Sequence, residues 1–231
     1  SYDVSLRDMY KEIAIYAVPV VFLGIANPLF QFVDMLTFNN AMASTEGAAN
    51  SSIYLSMLNF QTHKLVMIPV MLATGFSMAL IPLITKYFTT NDHKAVNRTL
   101  DQTFQILLFL TLPAVVGMTL LSDELYHIFY EISDMGSEVL SHYLPVAILF
   151  ALFPVTASIL QGINQQKWII LNLLIGLLLK LALNIPLIER FETDGAIAAT
   201  IIGYVVATGM NLAVIKVTMN YHSNMVVRRI I

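Results

Sequence analysis

The chain has 231 residues, 57% of them apolar and 12% charged, with a mean hydropathy of +0.73. A soluble domain carries about a quarter charged residues, so this composition excludes a solvated globular surface, and its apolar content excludes disorder. Twelve Lys/Arg against fifteen Asp/Glu leave a net charge of −3 and no basic character to hold nucleic acid, while the absence of cysteine removes disulfides and thiolate chemistry.

The chain opens at Ser1 without an initiator Met, on a charged stretch (Asp3, Arg7, Asp8, Lys11, Glu12) that lacks the layout of a signal peptide. A piece of a longer protein is therefore expected. Six apolar stretches follow, at about 13–38, 65–84, 104–121, 143–163, 168–188 and 195–219. Crossing a hydrocarbon core takes about 20 helical residues, and barrel strands would be half as long and alternating. The predicted fold class is all-α integral membrane, a single domain over 1–231 made of one six-helix bundle.

Most spans contain proline: Pro19 and Pro28, Pro69 and Pro82, Pro113, Pro145 and Pro154, and Pro186. An interior proline costs a soluble helix about 3 kcal/mol. A membrane bundle can satisfy the freed carbonyls, so kinked spans point to a transporter rather than an anchor.

Between the spans, 39–52 is small and polar and reads as a flexible outer loop, and 91–102 reads as a capped extension of the third helix. The segment 122–134 carries Leu125, Ile128, Phe129 and Ile132 at helical spacing. It is too short to span and is expected along the outer interface, with Tyr126 and Tyr130 at headgroup level.

Orientation follows from the basic residues. With the N-terminus inside, the inner segments hold Arg7, Lys11, Lys86, Lys94, Arg98, Lys167, Lys216, Arg228 and Arg229, and the outer ones only Lys64 and Arg190. The positive-inside rule then puts both termini in the cytoplasm and the chain in the cytoplasmic membrane.

Several chemistries find no support. There is no phosphate-binding glycine loop and no nucleophile elbow. His63, His93, His127, His142 and His222 stand in no ligand spacing and read as interfacial histidines, so neither an enzyme nor a cofactor is expected. A coupling ion is left open.

The polar residues inside the spans carry the functional signal. Lys180 lies mid-span, where a lysine costs about 2.5–3.5 kcal/mol, and Asn172, Gly176 and Asn184 share its face at i+4 spacing. This face suits an aqueous cavity or an anionic headgroup; a structural lysine paired with a carboxylate or helix-end carbonyls is the competing explanation. In the first span Asn27, Gln31 and Asp34 share a face. Asp34 falls about nine residues outward of the centre of 13–38, roughly 13 Å at 1.5 Å per residue. That depth argues against a simple pair with Lys180, which would require tilt, a kink or a water bridge, and leaves two roles, a wet carboxylate at the outer mouth or a cavity group. Gly195, Ala199, Gly203 and Ala207 form a close-packing face, flanked by Thr200, Tyr204, Thr208 and Asn211 as interhelical glue or cavity lining.

Short segments along the whole chain resemble one known group. They are Tyr16-Ala17-Val18-Pro19 with Phe32-Val33-Asp34, Ile68-Pro69 with Ala79-Leu80-Ile81-Pro82, Leu112-Pro113 with the turn into 125–130, and Ile159-Leu160-Gln161-Gly162 with Lys167. Lys180, Asn184 and Asp194-Gly195-Ala196 through Thr200 complete the pattern. In this order they are similar to the second half of the MurJ- and SpoVB-like branch (lipid II flippases and polysaccharide exporters) of the multidrug/oligosaccharidyl-lipid/polysaccharide exporter superfamily. The resemblance implies half of a two-bundle transporter whose partners are a lipid-linked saccharide, the other six-helix bundle and membrane lipid. It implies alternating access by rocking bundles, with Lys180 countering phosphate charge and Asn172 and Asn184 donating hydrogen bonds. The alternatives are a multidrug cation antiporter of the same superfamily, relying on Asp34, and a membrane assembly subunit without transport.

Overall fold

The computed structural model describes residues 6–130 and 132–219, and these form helices and turns without a strand. Asp3, His222, Arg228 and Arg229 lie outside the described residues. The helices are α1 (Leu6–Gly24), α2 (Ala26–Met42), α3 (Ser51–Ser56), α4 (His63–Met78), α5 (Ile81–Thr89), α6 (His93–Leu120), α7 (Ser122–Phe129), α8 (Asp134–Tyr143), α9 (Ala147–Gly162) and α10 (Gln166–Met219).

Among the described residues four helical runs are long and apolar enough to cross a membrane: Ala48–Thr89, His93–Leu120, Asp134–Gly162 and Gln166–Met219. A fifth arises if α1 and α2, bent by 51°, count as one span. Six separate spans were expected, and the difference lies in α10. Its 54 residues would reach about 81 Å if straight, far beyond a hydrocarbon core of about 30 Å. The run instead breaks at Glu192, whose φ of 52° and ψ of −127° are non-helical.

Contacts on either side of that break define a hairpin. Lys180 bonds to Thr200, and Asn172, further from the break, bonds to Asn211. Residues 166–191 and 193–219 therefore run antiparallel. Gly176 and Gly203 mark a close crossing: a Cβ on Gly176 would stand 2.5 Å from the Gly203 carbonyl oxygen. The small-residue face thus packs helix on helix, because only residues without bulk let two backbones approach this closely.

Prolines explain where helices stop. A proline ring clashes with the carbonyl four residues earlier. Pro28 and Pro82 look back on Gly24 and Met78, the last residues of α1 and α4, and Pro145 sits in the 3₁₀ turn Leu144–Val146 between α8 and α9. Pro19, Pro69, Pro113, Pro154 and Pro186 remain inside helices.

The connecting segments are more ordered than expected. Most of 39–52 is helical: α2 runs on to Met42, a 3₁₀ turn covers Glu46–Asn50, and α3 starts at Ser51. Asp92 caps α6, its carboxylate accepting from the Ala95 amide at 3.0 Å, so 91–102 is the expected capped extension. Of the segment 122–134 only Ser122–Phe129 forms a helix, α7, with Ile128 and Phe129 exposed; Ile132, also exposed, lies in the link to α8. Tyr126, however, is buried against Gly136 rather than placed at headgroup level, and its hydroxyl donates to Gln61.

The core lies where α10 packs on α9 and α2, and α4 on α6 and α9. Its centre holds Phe30, Phe150, Phe153 and Tyr204, with ring centroids 4.3–5.6 Å apart across the Phe30–Tyr204, Phe150–Tyr204 and Phe153–Tyr204 pairs.

Candidate functional site

Lys180 is 1% exposed and Asp34 3%. They form a direct ion pair, with Lys180 Nζ 2.7 Å from Asp34 Oδ2. The reason they meet is the break after Gly24. Depth reckoned along a straight span places Asp34 well outward, but α2 is its own helix over Ala26–Met42, and Asp34 is its middle residue. Asp34 is therefore not a wet carboxylate at the mouth; it is sealed between α2 and the hairpin.

The pair is well supported by neutral partners. Lys180 Nζ also donates to Thr200 Oγ1 at 2.7 Å, and the Phe30 ring centroid lies 5.7 Å away. Asn184 Nδ2 donates to Asp34 Oδ1 at 3.0 Å and to Thr37 Oγ1 at 2.7 Å. Both threonine hydroxyls in turn donate to carbonyls one turn back, Thr37 to Val33 and Thr200 to Ala196. A buried charge pair survives only when its remaining bonding capacity is met in this way.

The other expected residues divide. Asn27 and Gln31 line the same small cavity as the ion pair but bond elsewhere. The Tyr204 hydroxyl donates to Asn27 Oδ1, the Asn27 amide faces Met67 Sδ at 3.7 Å, and Gln31 exchanges bonds with Asn59. Asn172 does not join Lys180 at all. It donates to Asn211 Oδ1 at 2.8 Å, and Asn211 donates to Thr156 at 3.2 Å, a second polar layer beyond the Gly176–Gly203 crossing. Of the flanking strip, Thr200 and Asn211 act as glue between helices.

Sequence reasoning missed two groups here. His63 and Tyr143 line the cavity together with Asp34 and Lys180, and His63 Nδ1 lies 3.1 Å from the Tyr143 hydroxyl. The cavity holds about 10 Å³, at the lower limit of what accommodates one water. In this structure the site is closed, and Lys180 is neutralised by Asp34.

A family model described as MatE matches residues 19–185, well over half of the chain. The chain belongs to the MatE family. Two curated relatives come from Bacillus subtilis (strain 168). "Lipid II flippase MurJ" is 45% identical over 231 residues, which is 98% of this chain and 42% of that protein. "Uncharacterized membrane protein YabM" is 21% identical over 210 residues, covering 90% of this chain and 39% of that protein. The chain thus spans about two fifths of the length of the curated relatives it matches. No solved structure matches. The resemblance drawn from the short segments is upheld, and the MatE match covers α2, α4, α6, α9 and the first arm of α10 up to residue 185, which contains Asp34, Lys180 and Asn184.

Proposed function

We propose that this chain is one six-helix bundle, residues 1–231, of a two-bundle flippase in the cytoplasmic membrane. It would move the anionic headgroup of a lipid-linked saccharide, of the lipid II type, while the lipid tail stays in hydrocarbon. The observation that carries this reading is the buried Lys180–Asp34 pair, within a chain 45% identical to "Lipid II flippase MurJ" across nearly its whole length. A six-span count follows if α1–α2 is one span and the hairpin arms of α10 are two. Both termini then face the cytoplasm, in keeping with the basic residues.

The chemistry is an exchange of partners. Lys180 and Asp34 cancel each other in the closed site, and Asn184 donates to Asp34 and Thr37. A phosphate reaching Lys180 displaces Asp34, forming charge-assisted bonds in its place. Thr200 and the aromatic floor of Phe30 keep the ammonium in position during that exchange, and Asn184 stays on the Asp34 side of the pair. Asn27 and Gln31 line the approach, while Asn172 holds the hairpin arms together one layer further along. Rocking of this bundle against its partner bundle would expose the site alternately to each side.

The test uses the full-length protein reconstituted in vesicles. Lys180→Ala abolishes headgroup translocation while Lys180→Arg keeps part of it. A multidrug antiporter would instead be spared by Lys180→Ala and lost with Asp34→Asn. Normal lipid-linked saccharide translocation by a folded Lys180→Ala variant overturns the proposal and leaves the pair a packing device.

A further inference from the structure

The hydrogen-bond donors lining the cavity are nearly all committed inside the protein. Asn27 Nδ2 faces Met67 Sδ, Gln31 Nε2 bonds to the Asn59 carbonyl, and the Thr200 hydroxyl bonds to the Ala196 carbonyl. Lys180 is occupied by Asp34 and Thr200, and lies over the Phe30 ring. The exception among the described residues is His63.

Tyr143 is 3% exposed and its hydroxyl meets His63 Nδ1. A buried O–H left without an acceptor costs more than a made bond returns, so the hydroxyl donates and Nδ1 accepts. That fixes the ring proton on Nε2. Nε2 has no hydrogen-bond partner among the described residues, yet it is not among the sealed, unpartnered atoms, and His63 as a whole is only half-buried. Phe150 holds the ring edge-on at a centroid distance of 5.5 Å, and the imidazole lines the cavity together with Tyr143 and Lys180.

We infer that His63 is a further substrate-contacting residue, presenting its Nε2–H to a phosphate oxygen of the headgroup at the mouth of the cavity that ends on Lys180. The inference rests on the flippase reading and deepens it. Because Lys180 and Asp34 sum to zero charge, an arriving oxyanion meets no uncompensated cation at first, and the uncommitted N–H is what it can bond before Asp34 is displaced. Tyr143 is a positioning residue that acts through the imidazole tautomer.

The experiment measures initial translocation rate against concentration of an isoprenyl-diphosphate-linked disaccharide, in the reconstituted full-length protein. His63→Phe raises the half-saturating concentration about fivefold, the worth of one neutral hydrogen bond, with the maximal rate unchanged. His63→Gln, which keeps an N–H donor, returns to within about twofold of wild type, a rescue that a packing role for the ring does not give. Tyr143→Phe leaves the ring but frees the tautomer, halving the competent population and raising half-saturation about twofold; it reads the same quantity if His63→Phe prevents folding. An unchanged half-saturation in folded His63→Phe, or in Tyr143→Phe where it stands in, overturns the inference and leaves the transport reading standing. A wild type that neither binds nor translocates the probe overturns both.

Discussion

Removing the Asp34 carboxylate while leaving Lys180 in place gives the sharpest test of how the bundle is held together. At the observed separation of 2.7 Å, an effective dielectric of about 20 gives an attraction of about 6 kcal/mol. Desolvating two buried ions costs several kcal/mol each, so the pair as a whole contributes little net stability. The asymmetry appears on truncation. Asp34→Ala strands an ammonium that is 1% exposed, at an expected cost of about 3–5 kcal/mol, and Lys180→Met strands the carboxylate at a similar cost. The double variant Asp34→Leu/Lys180→Met removes both charges and is expected to cost far less than the sum of the single changes. Thermal or denaturant unfolding of the purified full-length protein in one detergent reads this cycle. Single-variant losses that add in the double variant refute the reasoning, because they would mean that the two charges do not interact as the geometry requires.

Two further outcomes follow from packing. Gly203→Val places branched carbons where even a Cβ would lie 2.7 Å from the Gly176 carbonyl oxygen and from a Phe30 ring carbon; an overpacking loss of about 1–3 kcal/mol is expected, read as a lowered unfolding midpoint beside a near-neutral Gly209→Ala, where nothing lies within 4 Å. Asp92→Ala removes the side chain that caps α6 through the Ala95 amide and should cost about 1 kcal/mol, with Asp92→Asn largely retaining stability in the same assay.

Composition and apolar run length were enough to read the helical, membrane-spanning character, but not the breaks: Pro28, Pro82 and Pro145 stand at helix ends, five prolines stay inside helices, and α10 breaks at Glu192. The face shared by Asn172, Gly176, Lys180 and Asn184 was also legible, since i+4 spacing survives in any straight helix. Its division into two polar layers was not, because the glycine in the stripe reads as a gap in one helix until the second arm fills it. The Asp34–Lys180 contact was hidden by an assumption about shape: residue counting measures depth only along an unbroken axis, and Pro28 breaks that axis beside Gly24. Tyr126 was misplaced because a tyrosine near a span end fits headgroup level, whereas the bare Gly136 that receives its ring is supplied by a different helix. His63 and Tyr143 are 80 positions apart, and no periodicity within either segment marks them as partners.

Main chain touching main chain at Gly176 and Gly203 has one more effect. It stacks the Asp34 compartment and the Asn172 compartment like two rooms without a door, since neither glycine offers a polar side chain as a stepping stone. Along this hairpin the insulation between the two polar layers is built from the residues with the least matter in them.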